Sequence, residues 1–107
     1  MTTFDKREEA FEAMFVHDEE LRFRATARRN KLLGQWAASL MSLEDEDAKA
    51  YAATLLAPDF LGGTDDRLIL KIVADLKAKG VLRSAEEVAE KSTDLLAKAV
   101  AQIKAGG

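Results

Sequence analysis

Residues 4–43 read FDKREEAFEAMFVHDEELRFRATARRNKLLGQWAASLMSL, a stretch of forty residues that contains no proline. Helix-forming residues fill almost all of it, so it predicts helical structure. As a single helix it would be roughly 60 Å long, at 1.5 Å per residue, and the later helical segments reach about half that length or less. A bundle built from those segments cannot cover the whole stretch. Part of it must therefore overhang, bend back or bind a partner.

The second part of this stretch has the pattern of a core helix. From Leu21 onward, apolar residues recur at helical spacing and form one stripe, which Arg28 interrupts. The members of this stripe are Leu21, Ala25, Leu32, Trp36, Leu40 and Leu43. Gly34 lies within the same pattern, where glycine costs roughly 1 kcal/mol relative to alanine. Close packing of a neighbouring helix, or a kink, would explain it.

The first part is more charged and more aromatic. Phe4, Phe11 and Phe15 share one helical face. A narrow apolar stripe on a charged helix suits docking into a groove, although the three side chains could equally fold back onto the bundle. Because such a helix buries little apolar area, its ordering entropy leaves it marginal by itself. We therefore expect residues 2–19 to be mobile or loosely docked in the free protein.

Composition indicates one soluble, helix-rich domain of 107 residues, with 48% hydrophobic and 33% charged residues. We divide it into an N-terminal segment, residues 1–19, and a helical bundle, residues 20–105. A net charge of −3 gives no bulk attraction to nucleic acid or membrane. The sequence contains no cysteine, no apolar signal core and no run of eighteen apolar residues. A cytoplasmic protein is the expectation.

Three further helices follow in the sequence. The first opens with the acidic run 44–47 and ends at Pro58, and residues 59–64 form a loop with Phe60 and Leu61 turned inward. The next runs from a cap at Thr64 or Asp65 through Lys79 to a left-handed stop at Gly80. The last begins at a capping box formed by Ser84 and Glu87. The residues predicted to be buried are Ala48, Tyr51, Ala52, Leu55, Leu56; Leu68, Ile69, Ile72, Val73, Leu76; and Ala85, Val88, Ser92, Leu95, Leu96, Ala99, Val100, Ile103. The fold class is therefore all-α, a small four-helix bundle.

Residues with catalytic chemistry are scarce. His17 is the single histidine, and it lies among carboxylates rather than in a nucleophile–base arrangement. The acidic run 44–47 lacks the alternating oxygen ligands and central glycine of a calcium loop. Gly62 and Gly63 precede a helix without the lysine of a phosphate-binding loop. We predict no enzymatic activity, no metal site and no required cofactor.

Two features could still bind a ligand or sense a condition. Arg28, Arg29 and Lys31, with Trp36 nearby, could bind ATP or ADP weakly, because arginine offers a fork of donors to phosphate. Alternatively, these basic residues pair with acidic segments of the same bundle. His17 could act as a pH switch, since an unperturbed histidine has a pKa of about 6.5, or it could be an idle surface residue.

Several runs of residues closely resemble the alpha-proteobacterial ATP synthase inhibitor family, the zeta subunit, also known as a domain of unknown function. They are residues 4–8 (FDKRE), 10–12 (AFE), 17–21 (HDEEL), 27–34 (ARRNKLLG) and 36–38 (WAA). The resemblance covers essentially the whole chain and is most specific between Phe4 and Ala38. It departs from the family pattern at Lys6, where an acidic residue is common, and at Met14, where a lysine is common; both positions lie in the N-terminal segment.

This resemblance implies a four-helix protein that inhibits ATP hydrolysis by the catalytic head of F-type ATP synthase. The inhibitory segment, roughly residues 2–19, would insert at a catalytic alpha/beta subunit interface and block rotation in the hydrolytic direction, with the gamma subunit as a further candidate contact. The bundle from Leu21 onward would hold that segment in place. The implied partner-binding residues are Phe4, Phe11 and Phe15 as apolar anchors, and Asp5, Arg7, Glu8 and Glu12 as polar contacts.

The resemblance also places the protein at the cytoplasmic face of the membrane through its partner. We expect a monomer, because no sustained heptad repeat predicts a coiled-coil dimer. Two alternatives stay open: a weak ATP/ADP sensor that uses the basic residues, and a helical adaptor for another partner.

Overall fold

The computed structural model describes residues 19–62 and 64–106. Over this part of the chain it contains five helices, α1 (Glu19–Leu40), α2 (Asp45–Thr54), α3 (Pro58–Leu61), α4 (Asp66–Ala78) and α5 (Ala85–Lys104), and no strand. The all-α fold class is confirmed. Four of these helices correspond to the predicted bundle, and α3 is an additional single turn.

The helix α1 is the centre of the bundle, and its most extensive contacts are with α5 and α2. Leu33 and Ala37 of this helix, and Met41 directly after it, enter the main apolar cluster. The other buried members of that cluster are Leu55, Leu68, Ile72, Leu76, Val88 and Leu95. A smaller cluster joins Ala25 on α1 to Leu96 and Val100 on α5, with Leu21 and Ile103 packed against it. Two apolar contacts, one at each end of α1, thus fix this helix against α5.

The buried face of α1 differs from the predicted stripe. Leu32, Trp36, Leu40 and Leu43 are only partly buried and pack at the margin of the core. The buried face instead carries Ala25, Thr26, Arg29, Asn30, Leu33, Gly34, Ala37 and Ala38. Ala25 is buried and Leu21 packs beside it, as predicted. From Leu32 onward the predicted stripe was wrong by about one residue step around the helix, because a stripe traced through large apolar residues misses a face built from small and polar ones.

The connection after α2 also differs from the prediction. The helix ends at Thr54, and Pro58 does not end it but begins the short helix α3. Proline suits this first turn because its φ is already helical and its missing N–H would have no intrahelical partner there. Residues 59–61, predicted as loop, are therefore helical. Leu56, predicted as buried, is 38% exposed.

The C-terminal end of α4 and the N-terminal end of α5 follow the predicted local signals, whereas Asp65, the N-cap of α4, makes no side-chain cap hydrogen bond. Gly80 has φ +79° and the amide of Val81 donates to the carbonyl of Leu76, which is the left-handed stop expected there. The amide of Glu87 donates to Ser84 Oγ, and Glu87 accepts from the amide of Ser84, so the predicted capping box is confirmed. On the predicted faces, Ile69, Val73 and Ile103 are half-buried, and Ala85 is exposed rather than buried.

Candidate functional site

The residues assigned to the inhibitory segment and the pH switch lie outside the part of the chain that the structure describes. They are Phe4, Asp5, Arg7, Glu8, Phe11, Glu12, Phe15 and His17. The description begins at Glu19, the residue at which the predicted segment ends. The predicted site residues that the structure does describe are those of the candidate nucleotide site on α1, namely Arg28, Arg29, Lys31 and Trp36.

The most constrained residue of the predicted basic site is Arg29, which is fully buried. Its guanidinium binds the carboxylate of Asp65 with both terminal nitrogens: Nη1 lies 3.1 Å from Oδ2 and Nη2 lies 3.1 Å from Oδ1. Nη1 also donates to Ser92 Oγ at 2.9 Å, and Nε donates to Asn30 Oδ1 at 2.7 Å. A fork of two parallel bonds to one carboxylate is the strong geometry for an arginine ion pair. Arg29 thereby ties α1 to the start of α4 and to the middle of α5.

Asn30 extends this network to the other side of the bundle. Its side chain is fully buried, and Nδ2 donates to the carbonyls of Leu55 and Phe60, each at 2.9 Å. Those carbonyls belong to the end of α2 and to α3, where helix geometry leaves backbone acceptors unpaired. Asn30 therefore holds the α2–α3 connection against α1. Its acceptor oxygen receives Arg29, so donor and acceptor groups of the amide are all used.

Three residues of the candidate nucleotide site, Arg29, Lys31 and Trp36, contact different parts of the bundle. Arg29 directs its guanidinium into the protein, where the carboxylate of Asp65 already occupies the position that a phosphate would take. Lys31 lines a shallow hollow between α1 and α2, together with Ala48 and Ala52. Trp36 packs against the core on the side of α5, where Lys91 Nζ lies 5.9 Å from the centre of its ring. Arg28 is half-buried. For Arg29, pairing with an acidic segment of the same bundle is the alternative that the structure confirms.

Gly34 explains how α2 approaches α1 so closely. A Cβ at this position would lie 2.7 Å from the Cα and 3.0 Å from the Cβ of Ala52. Real side chains do not tolerate such contacts with backbone, so the helix must carry glycine here. Of the two explanations offered by the sequence, close packing is the one observed.

A second polar cluster, which the sequence did not reveal, joins α2 to α4. Tyr51 donates its hydroxyl to Asp75 Oδ2 at 2.8 Å, and Lys71 Nζ donates to the same oxygen at 2.8 Å. Lys71 Nζ also lies 5.5 Å from the centre of the Tyr51 ring. Burial, then the hydrogen bond to Asp75 and its negative charge, raise the pKa of Tyr51 well above the ordinary value. The phenol is therefore kept protonated as a donor, which suits a structural role.

The sequence pattern contains a signal for the first cluster, but that signal does not identify the partner residues. Arg29 and Asn30 fall at helical spacing between Ala25 and Leu33, which places two polar residues on a buried face. The principal partner of Arg29 is Asp65, which is 36 residues away, and Asn30 donates to carbonyls 25 and 30 residues away. Tyr51 and Asp75 are likewise 24 residues apart. Neither pairing can be read from local spacing.

Within residues 19–62 and 64–106, no three histidine, cysteine or acidic side chains are grouped so that they could hold a metal ion. None of the helices in this part of the chain is both long enough and apolar enough to cross a membrane.

The fold and its polar core define a class of small all-α bundle in which one central helix carries a buried arginine–asparagine pair. The chain belongs to the ATPase inhibitor subunit zeta family, whose model matches residues 1–102. This match includes residues 2–19 as well as the bundle. A search of curated proteins gave no significant match. The family assignment confirms the resemblance drawn from the sequence and indicates a regulatory rather than a catalytic role.

Proposed function

We propose that this protein inhibits ATP hydrolysis by F-type ATP synthase through its N-terminal segment, which inserts at a catalytic alpha/beta subunit interface and blocks rotation in the hydrolytic direction. The observation that carries the proposal is the family match, because it extends over residues 1–102 and so includes the segment as well as the bundle. In this proposal Phe4, Phe11 and Phe15 fill apolar pockets of the interface. Asp5, Arg7, Glu8 and Glu12 set the register through polar contacts. The protein would then be found with its partner at the cytoplasmic face of the membrane.

The construction of the bundle supports a holding role. Arg29 donates four hydrogen bonds within the protein and Asn30 donates two, so this network is directed into the bundle and rigidifies it. At the other end of α1, Leu21 packs against the cluster that contains Leu96 and Val100. The start of α1 is therefore anchored on α5 only two residues after Glu19. A rigid base lowers the entropy cost of presenting a segment to a partner.

The test measures ATP hydrolysis by the purified catalytic head of the synthase in the presence of the full-length protein or of a triple variant, Phe4→Ala/Phe11→Ala/Phe15→Ala. We expect the native chain to inhibit and the triple variant to lose most of its inhibition, because each large apolar anchor contributes about 1.5–3 kcal/mol on burial. A chain that begins at Glu20 should not inhibit.

The matched control is Phe23→Ala. Phe23 is a phenylalanine on α1 that is 55% exposed and lies outside the segment. Its replacement should leave inhibition within about twofold of native, as expected for a surface change worth about 0.5 kcal/mol or less. Equal inhibition by the native chain and the triple variant would refute insertion through the aromatic face. A complete lack of inhibition by the native chain would refute the proposed function for that enzyme.

A further inference from the structure

One face of α4 is apolar in the middle and oppositely charged at its two ends. Asp66, Leu70, Val73 and Lys77 follow one another at steps of three or four, so they lie in one row along the helix. Leu70 is 63% exposed in the middle of this row. The opposite side of α4 is already used, since Leu68, Ile72 and Leu76 are buried in the core. We call this row the α4 stripe.

The beginning of α5 and the turn before it widen the α4 stripe into a surface with two hollows. The hollow at the acidic end combines Asp66 and Leu70 with Glu86. The hollow at the basic end combines Val73 and Lys77 with Leu82, Arg83 and Glu87. Leu82 is 74% exposed, the most exposed large apolar residue of the described chain. Lys77 and Arg83 bring two positive charges to that end, against the one negative charge of Glu87, whose carboxylate also closes the capping box.

This arrangement is complementary to itself under a twofold rotation. An antiparallel pair of α4 helices centred between Lys71 and Ile72 places Asp66 opposite Lys77 of the partner subunit. The same rotation places Leu70 opposite Val73 of the partner subunit. Asp66 and Lys77 are eleven positions apart, or roughly 16 Å along the axis at 1.5 Å per residue. The two ion pairs would therefore flank a central apolar contact, as an isologous interface requires. A parallel pair would instead bring like charges together, which disfavours it.

We propose that the α4 stripe is a homodimer interface in which a second copy of this chain packs antiparallel on α4. Two exposed leucines per copy supply apolar area, and the charged ends fix the direction of packing. The contact is smaller than a standard interface of about 800 Å² per partner, so the dimer is weak and depends on concentration. It differs from the monomer predicted from the missing heptad repeat, because one short row on one helix needs no heptad. It also involves none of the residues proposed to inhibit ATP hydrolysis.

Sedimentation equilibrium of the full-length protein tests this, from about 20 µM to about 1 mM, since weak interfaces associate in that range. We expect the weight-average mass to rise toward twice the monomer mass. Leu70→Ser should lower the association constant at least tenfold, as should each single charge reversal, Asp66→Lys or Lys77→Asp, because each change acts twice in a symmetric dimer. Far-ultraviolet circular dichroism checks that each variant is folded.

Mixing the two charge-reversal variants gives the decisive measurement. In the mixed dimer, Lys at position 66 of one copy faces Asp at position 77 of the other, and the second contact is the native pair. Association of the mixture should therefore return to within about threefold of native, although neither variant associates alone. Phe23→Ser, a polar replacement at an exposed apolar site on α1, is the matched control and should associate like the native chain. A native protein that stays monomeric at 1 mM would overturn the proposal, as would association that survives both charge reversals.

Discussion

Replacing Arg29 by methionine tests whether the buried ion pair holds the bundle together. Methionine fills much of the same volume but donates no hydrogen bond. The change removes four donated bonds, among them both bonds from the guanidinium to the carboxylate of Asp65, whose side chain is only 18% exposed. Breaking a buried pair from one side costs about 3–5 kcal/mol, chiefly because the remaining charge is left uncompensated.

That loss is large compared with the total stability of a small domain, which is about 5–15 kcal/mol. With about 4–8 °C for each kcal/mol in a domain of this size, the midpoint of thermal unfolding should fall by about 12–40 °C. Arg29→Lys should be intermediate, because lysine keeps the charge but cannot form the fork to Asp65. Arg24→Met is the matched control. Arg24 is exposed on the same helix, so its replacement should change the unfolding free energy by about 0.5 kcal/mol or less.

Urea unfolding followed by circular dichroism measures these differences, and a cycle with Asp65→Asn isolates the pair. If the two side chains act as a pair, the second substitution should cost much less in the Arg29→Met background than in the native chain. A cost below about 1 kcal/mol for Arg29→Met would refute the reasoning, because a residue this buried would then contribute no more than a surface ion pair. At a temperature where the variant is still folded, inhibition of ATP hydrolysis should be unchanged, since Arg29 is assigned to the fold and not to the partner.

Two further predictions concern the contacts of α2. Gly34→Ala should destabilise the protein by about 1–2 kcal/mol in urea unfolding. The reason is that overpacking against Ala52 outweighs the gain of roughly 1 kcal/mol in helix propensity. An unchanged or higher stability would contradict the close approach of α2 to α1. Tyr51→Phe should cost about 1–2 kcal/mol near neutral pH by leaving Asp75 with one donor fewer. Because the folded pKa of Tyr51 is raised above its unfolded value of about 10, its contribution is complete below pH of about 10 and is lost as the pH rises further. Native protein should therefore lose stability above that pH more steeply than Tyr51→Phe, and parallel pH curves would contradict this assignment.

Local signals predicted the local parts of this fold. The Ser84–Glu87 capping box and the stop at Gly80 were correct because each depends on residues within a few positions of one another. The role of Pro58 was wrong because proline both ends a helix and suits the first turn of the next one, and spacing alone does not distinguish the two. Arg29 was assigned to the candidate nucleotide site because local spacing does not show that it is buried. Its burial depends on Asp65 and Ser92, which only tertiary packing brings next to it.

The run of residues 27–34, ARRNKLLG, carried the most specific part of the family resemblance, and the structure assigns that run to the architecture of the bundle. Arg29 and Asn30 tie α1 to the other helices, Leu33 enters the main apolar cluster, and Gly34 admits α2. A motif whose buried members serve packing identifies the fold and says little about what the protein binds. Evidence for inhibition must therefore come from residues 2–19, which the family model also covers. It follows that a chain carrying this run without the aromatic face of Phe4, Phe11 and Phe15 should form the same bundle and fail to inhibit ATP hydrolysis.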